Sequence, residues 1–178
     1  LIDKIWNRSI SRAKNKFYTL PDTSVGESYI SKINKILSKL KKVKADFQLI
    51  TASENNAWLF NIRGNDSKYT PIPYSYSLID KMGNIIFFCD LKKITTSFKK
   101  NFKKIKFVDI NYIHTVLSKI YRKKIIIDKN TCSIYYENIL LKNNKVLSQL
   151  DSIYTLKAIK TKKEIENIKK AHIYDGAA

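Results

Sequence analysis

The sequence predicts an α/β domain, built as a three-layer α/β/α sandwich with a mixed sheet. Short runs rich in Ile, Val and Phe alternate with amphipathic segments, which is typical of strands connected by helices. Two of these runs flank Lys81-Met82-Gly83, where glycine permits a tight turn, so one strand pair is expected to be antiparallel. The 178 residues are enough for one domain with its own core.

The first predicted helix begins near residue 24. Ser24 and Glu27 fit the capping box Ser-x-x-Glu, in which two side chains satisfy open backbone donors. Apolar residues then recur at helical spacing, at Ile30, Ile33, Leu37 and Leu40. Lysines are expected to face solvent on the other side, at Lys32, Lys35, Lys39 and Lys42. Residues 1–22 carry few periodic apolar positions and are interpreted as a linker.

The remaining elements alternate along the chain. Strands are expected at residues 47–51, 74–80, 84–90, 104–110, 124–128 and, as an edge strand, 145–148. A helix carrying Trp58 is expected to follow Ser53-Glu54, and others at residues 111–121 and 131–142. Thr161 and Glu164 form a second capping box, which opens a helix with an apolar face at Ile165, Ile168 and Ala171. That face requires a partner.

The charge balance raises the question of a polyanionic partner. Lys and Arg total 34 against 15 Asp and Glu, for a net charge of +19, but only Arg8, Arg12, Arg63 and Arg122 are arginines. Dispersed lysines favour a solvated surface over a phosphate-gripping site. Residues 97–107 are the best candidate for nucleic-acid binding, yet Phe98, Phe102 and Ile105 recur at helical spacing and are expected in the core. Nucleic acid is therefore an unfavoured partner, although a basic nucleic-acid-binding module stays an alternative.

The sequence of this chain contains no recognisable catalytic or metal-binding motif. His114 and His172 lie in no metal-binding motif, and no nucleophile elbow or phosphate-binding glycine loop occurs. Neither catalytic residues nor metal ligands are expected. Cys89 and Cys132 are interpreted as free buried thiols of a reducing compartment. No apolar run approaches the ~20 residues that span a bilayer, so no membrane partner is expected.

The most informative stretch is Ala57-Trp58-Leu59-Phe60-Asn61-Ile62-Arg63-Gly64-Asn65-Asp66, followed by Tyr69-Thr70-Pro71-Ile72-Pro73-Tyr74-Ser75-Tyr76. This spacing resembles the signature of the N-terminal-type domain of Xaa-Pro aminopeptidases, the aminopeptidase P branch of the creatinase and prolidase superfamily. A second resemblance runs from Leu156 to Ala178, and a weaker one covers Asp3-Lys4-Ile5-Trp6. The three blocks follow the family order.

The resemblance implies a division of labour within a longer polypeptide. Residues 1–22 would link a preceding domain, residues 23–158 would form the non-catalytic α/β domain, and residues 159–178 would start the first catalytic-domain helix. The family's two metal ions, expected to be manganese, are held by that later catalytic domain, so the isolated chain is expected to be inactive. The resemblance further implies a homodimer that acts on proline-containing peptides. The cytoplasm is the expected location, because the cysteines are interpreted as free thiols and no signal peptide is recognised. A stand-alone pseudoenzyme or adaptor domain stays an alternative.

The candidate site residues are Trp58, Asn61, Arg63, Gly64 and Asp66. Glycine after Arg63 allows the backbone to turn and present the guanidinium group at a polar turn. One interpretation is structural, with Arg63 paired to Asp66 or another carboxylate, or bonded to local carbonyl groups. The other places Arg63 at the entrance of an active site completed by the catalytic domain.

Overall fold

A six-stranded mixed sheet lies at the centre of the structure, a computed structural model that describes residues 15–177. The strands are β1 (Tyr18–Thr19), β2 (Phe47–Ile50), β3 (Ile62–Arg63), β4 (Tyr76–Asp80), β5 (Ile85–Cys89), β6 (Ile105–Asp109), β7 (Lys124–Ile127) and β8 (Lys145–Ser148). The order in the sheet is β6-β5-β4-β2-β7-β8, while β1 and β3 form a separate two-stranded ladder.

The central pairing combines both strand directions. Strand β2 is antiparallel to β4 and parallel to β7, with Phe47 opposite Asp80 on one side and Ile125 on the other. Strands β4 and β5 form the predicted antiparallel hairpin, and Gly83 adopts φ +87° in its turn. The pairs β5–β6 and β7–β8 are parallel. The predicted mixed sheet, with β8 at one edge, is confirmed.

Helices connect these strands and continue to the end of the described chain. They are α1 (Asp22–Val25), α2 (Tyr29–Lys42), α3 (Ser53–Leu59), α4 (Thr96–Lys100), α5 (Ile113–Ser118), α6 (Ile134–Leu141), α7 (Ser152–Ala158) and α8 (Lys162–Gly176). Two 3-10 turns lie at Leu91–Lys93 and Ile110–Tyr112. None of the helices between residues 15 and 177 combines the length and apolarity that a bilayer crossing requires.

Two hydrophobic cores lie on the two faces of the sheet. Neighbouring strand residues alternate between them, because successive side chains of a strand point to opposite faces: Ile79 and Phe87 enter one core, and Leu78 and Phe88 enter the other. Helices α2, α3, α4 and α7 supply buried residues to the first core, and α5 and α6 supply the second. The predicted three-layer α/β/α arrangement is therefore confirmed.

The predicted start of the first long helix is wrong. Ser24 lies in the short helix α1, which ends at Gly26 with φ +74°, a left-handed conformation that glycine adopts without strain. Helix α2 begins four residues later than expected, and its N-cap is Ser28, whose Oγ accepts from the Ser31 backbone N–H at 3.2 Å. The Ser24–Glu27 pattern therefore does not cap this helix.

The aromatic residues of the 97–107 segment are buried, as the spacing predicted. Phe98 and Phe102 have 5% and 3% of their surface exposed, and their ring centroids lie 5.0 Å apart. Both rings also pack against Phe107. Since these rings fill the first core, they are not available to stack on bases.

Both ends of the described chain contact the domain. Within the segment interpreted as a linker, Phe17 is buried and β1 pairs with β3, while Asp3-Lys4-Ile5-Trp6 lies outside the described residues. The capping box at Thr161 and Glu164 is present and opens α8. Thr161 Oγ1 donates to the Val25 carbonyl at 3.1 Å, which connects α8 to α1. The division at residues 22 and 158 stays a prediction.

Candidate functional site

The motif around Arg63 begins where helix α3 ends. Asn61 adopts φ +55°, a left-handed conformation that asparagine tolerates better than most residues. Its amide Nδ2 donates to the Glu27 carbonyl at 3.0 Å and to Asp22 Oδ1 at 3.3 Å. Asn61 therefore fixes the chain reversal between α3 and β3 by holding it to the segment before α2.

Lys32 lies beneath this reversal and is almost completely buried, with 1% of its surface exposed. Its Nζ donates to Asn61 Oδ1 at 2.6 Å and to the Trp58 carbonyl at 2.8 Å, and lies 4.1 Å from the Trp58 ring centroid. A cation is favourable at the carboxyl end of a helix and over an indole face. Lys32 thus connects Trp58 and Asn61.

The expectation that Lys32 faces solvent is wrong. The buried face of α2 contains Lys32, Ile33, Ile36 and Leu40, whereas Ile30 is 55% exposed. These four positions share one helical stripe, but residue type placed Lys32 on the polar side. Lys32 is buried despite the usual preference of lysine for solvent, because oxygen acceptors from a distant part of the chain hydrogen-bond its ammonium group.

Burial lowers the pKa of Lys32 from its ordinary 10.5 to about 8, since desolvation disfavours the charged form. The carboxylates of Glu164, Glu27 and Asp22 oppose this shift, and Arg63 reinforces it. The folded protein therefore releases the Lys32 proton at a lower pH than the unfolded chain does.

We expect Lys32→Met to lower the free energy of unfolding by about 2 kcal/mol at pH 7, because Asn61 Oδ1 loses a buried donor. Between about pH 8 and 10.5 the unfolded chain holds the Lys32 proton and the folded chain has lost it, so the lysine contributes more stability as pH rises. The difference between wild type and variant should therefore grow from pH 7 to pH 10, as measured by urea unfolding.

Lys35→Met is the matched control for this measurement. Lys35 lies on the same helix and pairs with Glu27 at 2.7 Å on the surface, with 46% of its side chain exposed. Its loss should cost less than about 1 kcal/mol at either pH. A Lys32→Met difference that shrinks above pH 8 would contradict the lowered pKa of Lys32.

Arg63 is fixed by carbonyl groups. Its Nη1 donates to the Ala57 carbonyl at 2.8 Å and to the Ile62 carbonyl at 3.0 Å, and the side chain is half-buried. Of the structural alternatives, the bonds to local carbonyls are present. No carboxylate lies within ion-pair distance of Arg63 among residues 15–177, and Asp66 pairs with a different residue.

Asp66 and Gly64 attach the following loop to the start of the domain. One oxygen of Asp66 accepts from the buried Lys93 ammonium, and the other accepts from the Tyr74 backbone N–H at 2.7 Å. A Cβ on Gly64 would lie 2.9 Å from the Phe17 ring and 3.0 Å from Pro73 Cα. Gly64 has no left-handed φ, so close packing rather than turning freedom explains this glycine.

The five candidate residues thus fall into two bonded groups. Trp58 and Asn61 assemble around Lys32, while Gly64 and Asp66 contact Phe17 and Lys93. Arg63 lies in β3 between them in the chain. The sequence did not mark Lys32, Lys93 or Phe17 as site residues, because their partners lie 26 or more residues away in the chain. The arrangement fixes the backbone on both sides of β3 and leaves the Arg63 guanidinium half-buried.

The described residues contain no cluster of metal ligands and no activated thiol. Within residues 15–177, no three His, Cys, Asp or Glu side chains lie together in a way that could hold a metal ion. Cys89 and Cys132 are free and buried, as predicted, and burial raises their pKa values to about 12 and 11. Thiols with such pKa values are poor nucleophiles at neutral pH. His114 is exposed and lies 2.7 Å from the Tyr135 hydroxyl.

Comparison with known families gives a clear relationship. A family model described as the creatinase/prolidase N-terminal domain matches residues 8–164. The chain belongs to this family. Over its full length, this creatinase/prolidase N-terminal domain is 30% identical to Xaa-Pro aminopeptidase ApepP of Drosophila melanogaster and 29% identical to the probable Xaa-Pro aminopeptidase P of Laccaria bicolor. It spans 30% and 28% of the lengths of those two proteins.

A solved structure has the same fold. The X-prolyl aminopeptidase of Caenorhabditis elegans, described as a cytosolic enzyme with a di-nuclear active site, matches with a TM-score of 0.87 at 23% identity. The match covers 99% of this domain and 30% of the nematode chain. The resemblance indicated by the motifs is therefore confirmed at the level of the family, and the fold is that of the creatinase/prolidase N-terminal domain.

Proposed function

We propose that this chain is the non-catalytic middle domain of a cytoplasmic Xaa-Pro aminopeptidase. The supporting observation is the full-length similarity to enzymes of that name, about three tenths of whose length the chain spans. The catalytic domain would be a separate part of the same polypeptide, and the complete enzyme would be a homodimer. It would remove the residue that precedes proline at the amino terminus of a peptide.

The two divalent metal ions of the complete enzyme, expected to be manganese, would bind to the catalytic domain. A di-metal site needs several carboxylate and imidazole ligands within a few ångströms, and residues 15–177 do not assemble such a set. When bound, the ions would supply an activated water for attack on the peptide bond. This domain would support assembly of the dimer. It would also form part of the entrance through which a peptide reaches that site.

Arg63 is the residue of this domain that would contact the peptide substrate at the entrance to the active site. Its two hydrogen bonds both use Nη1, so Nη2 and Nε have no hydrogen-bond partner within residues 15–177. A guanidinium held on one side by carbonyls can present its other donors to a peptide oxygen without a large entropic cost. Lys32 and Asn61 would then be positioning residues, because they fix the chain reversal that precedes Arg63.

One experiment tests both parts of this proposal. The 178-residue chain, the full-length protein and the full-length Arg63→Ala variant are assayed with manganese and a peptide that carries proline at its second position. We expect the chain alone to be inactive, the full-length protein to cleave, and Arg63→Ala to raise KM about tenfold through a lost hydrogen bond to the peptide. Arg63→Lys retains a donor and should recover part of this loss.

The outcomes separate the two claims. Hydrolysis by the isolated chain would refute its non-catalytic assignment, and an inactive, folded full-length protein would favour an adaptor role. If Arg63→Ala keeps the wild-type kcat/KM, Arg63 has only the structural role. Thermal unfolding of each variant shows whether a kinetic change reflects misfolding, since Arg63 also bonds to Ala57 and Ile62.

A further inference from the structure

A basic cavity lies away from the Arg63 motif, at the amino ends of the parallel strands β7 and β8. It has a volume of about 610 Å³ and is bounded by the turns that precede the two strands, residues 121–124 and 141–145, together with Asp46. Cavities of about 300–1,000 Å³ are typical of small-molecule sites. None of its lining residues belongs to the proposed peptidase function.

Positive charge dominates the lining. The basic side chains are Arg122, Lys123, Lys124, Lys142 and Lys145, and the one carboxylate is Asp46. Asp46 is already engaged, because Oδ1 accepts from Lys81 Nζ at 2.8 Å and Oδ2 accepts from the Lys124 backbone N–H at 3.0 Å. The Lys81 bond is the largest cause that lowers the Asp46 pKa, so the carboxylate is charged and neutralised within the protein.

Most of the cations lack such a partner. Lys124 Nζ donates to the Val43 carbonyl at 2.7 Å. Within residues 15–177, no carboxylate lies within 4.0 Å of the charged groups of the other four, Arg122, Lys123, Lys142 and Lys145. Four unneutralised cations around one cavity repel one another, and a bound polyanion would relieve that repulsion.

Hydrogen bonds hold the two turns together. Asn144 Nδ2 donates to the Ile120 carbonyl at 2.9 Å, and its Oδ1 accepts from the Lys123 backbone N–H at 3.0 Å. The Arg122 backbone N–H donates to the Asn143 carbonyl at 2.8 Å. The backbone that carries the cations is therefore ordered before any ligand binds, which reduces the entropic cost of binding.

Arg122 is exposed, and two further features define its geometry. Its φ is +52°, a conformation that costs energy for a residue other than glycine and occurs often at functional sites. Its guanidinium lies 4.9 Å from the Tyr121 ring centroid, which restricts its orientation. In a chain that uses lysine for nearly all its cations, an arginine here supplies a planar donor pair that matches two phosphate oxygens.

We propose that this cavity binds a small anion with clustered phosphate groups. The Arg122 guanidinium would bind two phosphate oxygens in bidentate fashion, and the ammonium groups of Lys123, Lys142 and Lys145 would contact the others. Four cations gathered around one open cavity suit a ligand with two or three phosphate groups. Tyr121 also lines the cavity and is 55% exposed, so a nucleic-acid strand with a base stacked on this ring is the alternative that the test must separate.

Inorganic tripolyphosphate is the probe, and isothermal titration calorimetry of the protein of this sequence is the measurement. The site variant is Arg122→Gly with Lys142→Gln. Glycine suits the left-handed φ of residue 122, so this variant should keep the thermal midpoint of the wild type. The matched control, Lys103→Gln with Lys104→Gln, removes the same charge from exposed residues before β6, the opposite edge of the sheet.

We expect tripolyphosphate to bind the wild type and the control alike, and to bind the site variant at least about tenfold more weakly. Affinity should fall as salt is raised. Equal weakening in both variants would overturn the proposal, because it would show attraction to net charge alone. Absence of binding to the wild type at low salt would also overturn it, as would tighter binding of a single-stranded RNA that the site variant weakens and the control does not.

Discussion

Asp66→Asn is expected to lower the free energy of unfolding by about 3 kcal/mol, the largest effect among single substitutions of the motif. The Lys93 ammonium is buried, with 4% of the residue exposed, and Asp66 supplies a carboxylate that pairs with it. Asparagine keeps the shape and can still accept from the Tyr74 backbone N–H. The loss of unfolding free energy therefore reports the contribution of the Asp66 negative charge. Urea unfolding at neutral pH measures this loss.

Asp90→Asn is the matched control. Asp90 caps the short 3-10 turn that ends at Lys93, and its carboxylate accepts from the Lys92 backbone N–H at 2.9 Å. Asparagine caps as well as aspartate does, so this change should cost less than about 0.5 kcal/mol. Adding Lys93→Met to Asp66→Asn should recover part of the loss, since the buried charge is then removed. A double variant no more stable than Asp66→Asn would contradict the ion-pair explanation.

Gly64→Ala is expected to cost about 2–3 kcal/mol, because its new methyl group would overlap the Phe17 ring and the backbone at Pro73. Phe17 can yield only by leaving the core, and β1 would lose its register with β3. Differential scanning calorimetry should show a lower midpoint. Limited proteolysis should cut earlier near residues 17–20 than in the wild type.

Gly176→Ala provides the control for the loss of a glycine. Nothing lies within 4 Å of the position its Cβ would take, and residue 176 is at the end of helix α8. Alanine has the higher helix propensity, so the variant should be as stable as the wild type or slightly more stable. A Gly64→Ala protein with wild-type stability would show that the contact with Phe17 is dispensable.

Local patterns in the sequence predicted most of the architecture. The β4–β5 hairpin, the burial of Phe98 and Phe102, and the capping box at Thr161 each depend on residues a few positions apart. In such cases periodicity and turn chemistry act within one element. The fold class follows from the order of these elements, and the family motifs agreed with it.

The internal arrangement of the site could not be predicted in the same way. Lys32 is buried because Asn61 and the end of α3 supply oxygen acceptors, and these lie 26 or more residues further along the chain. Gly64 is explained by Phe17, which residue spacing placed in a linker. Composition describes what a side chain prefers on its own, whereas these contacts are set by which segments the sheet brings together.

The position of β2 has a consequence for synthesis on the ribosome. Its antiparallel partner β4 follows soon after it, but its parallel partner β7 starts at Lys124, so one flank of β2 stays unpaired while the intervening chain is translated. At about 5–20 residues per second this takes several seconds. An open, apolar strand flank invites pairing with other nascent chains. Chaperone binding to that flank of β2 would prevent such pairing until β7 has been synthesised.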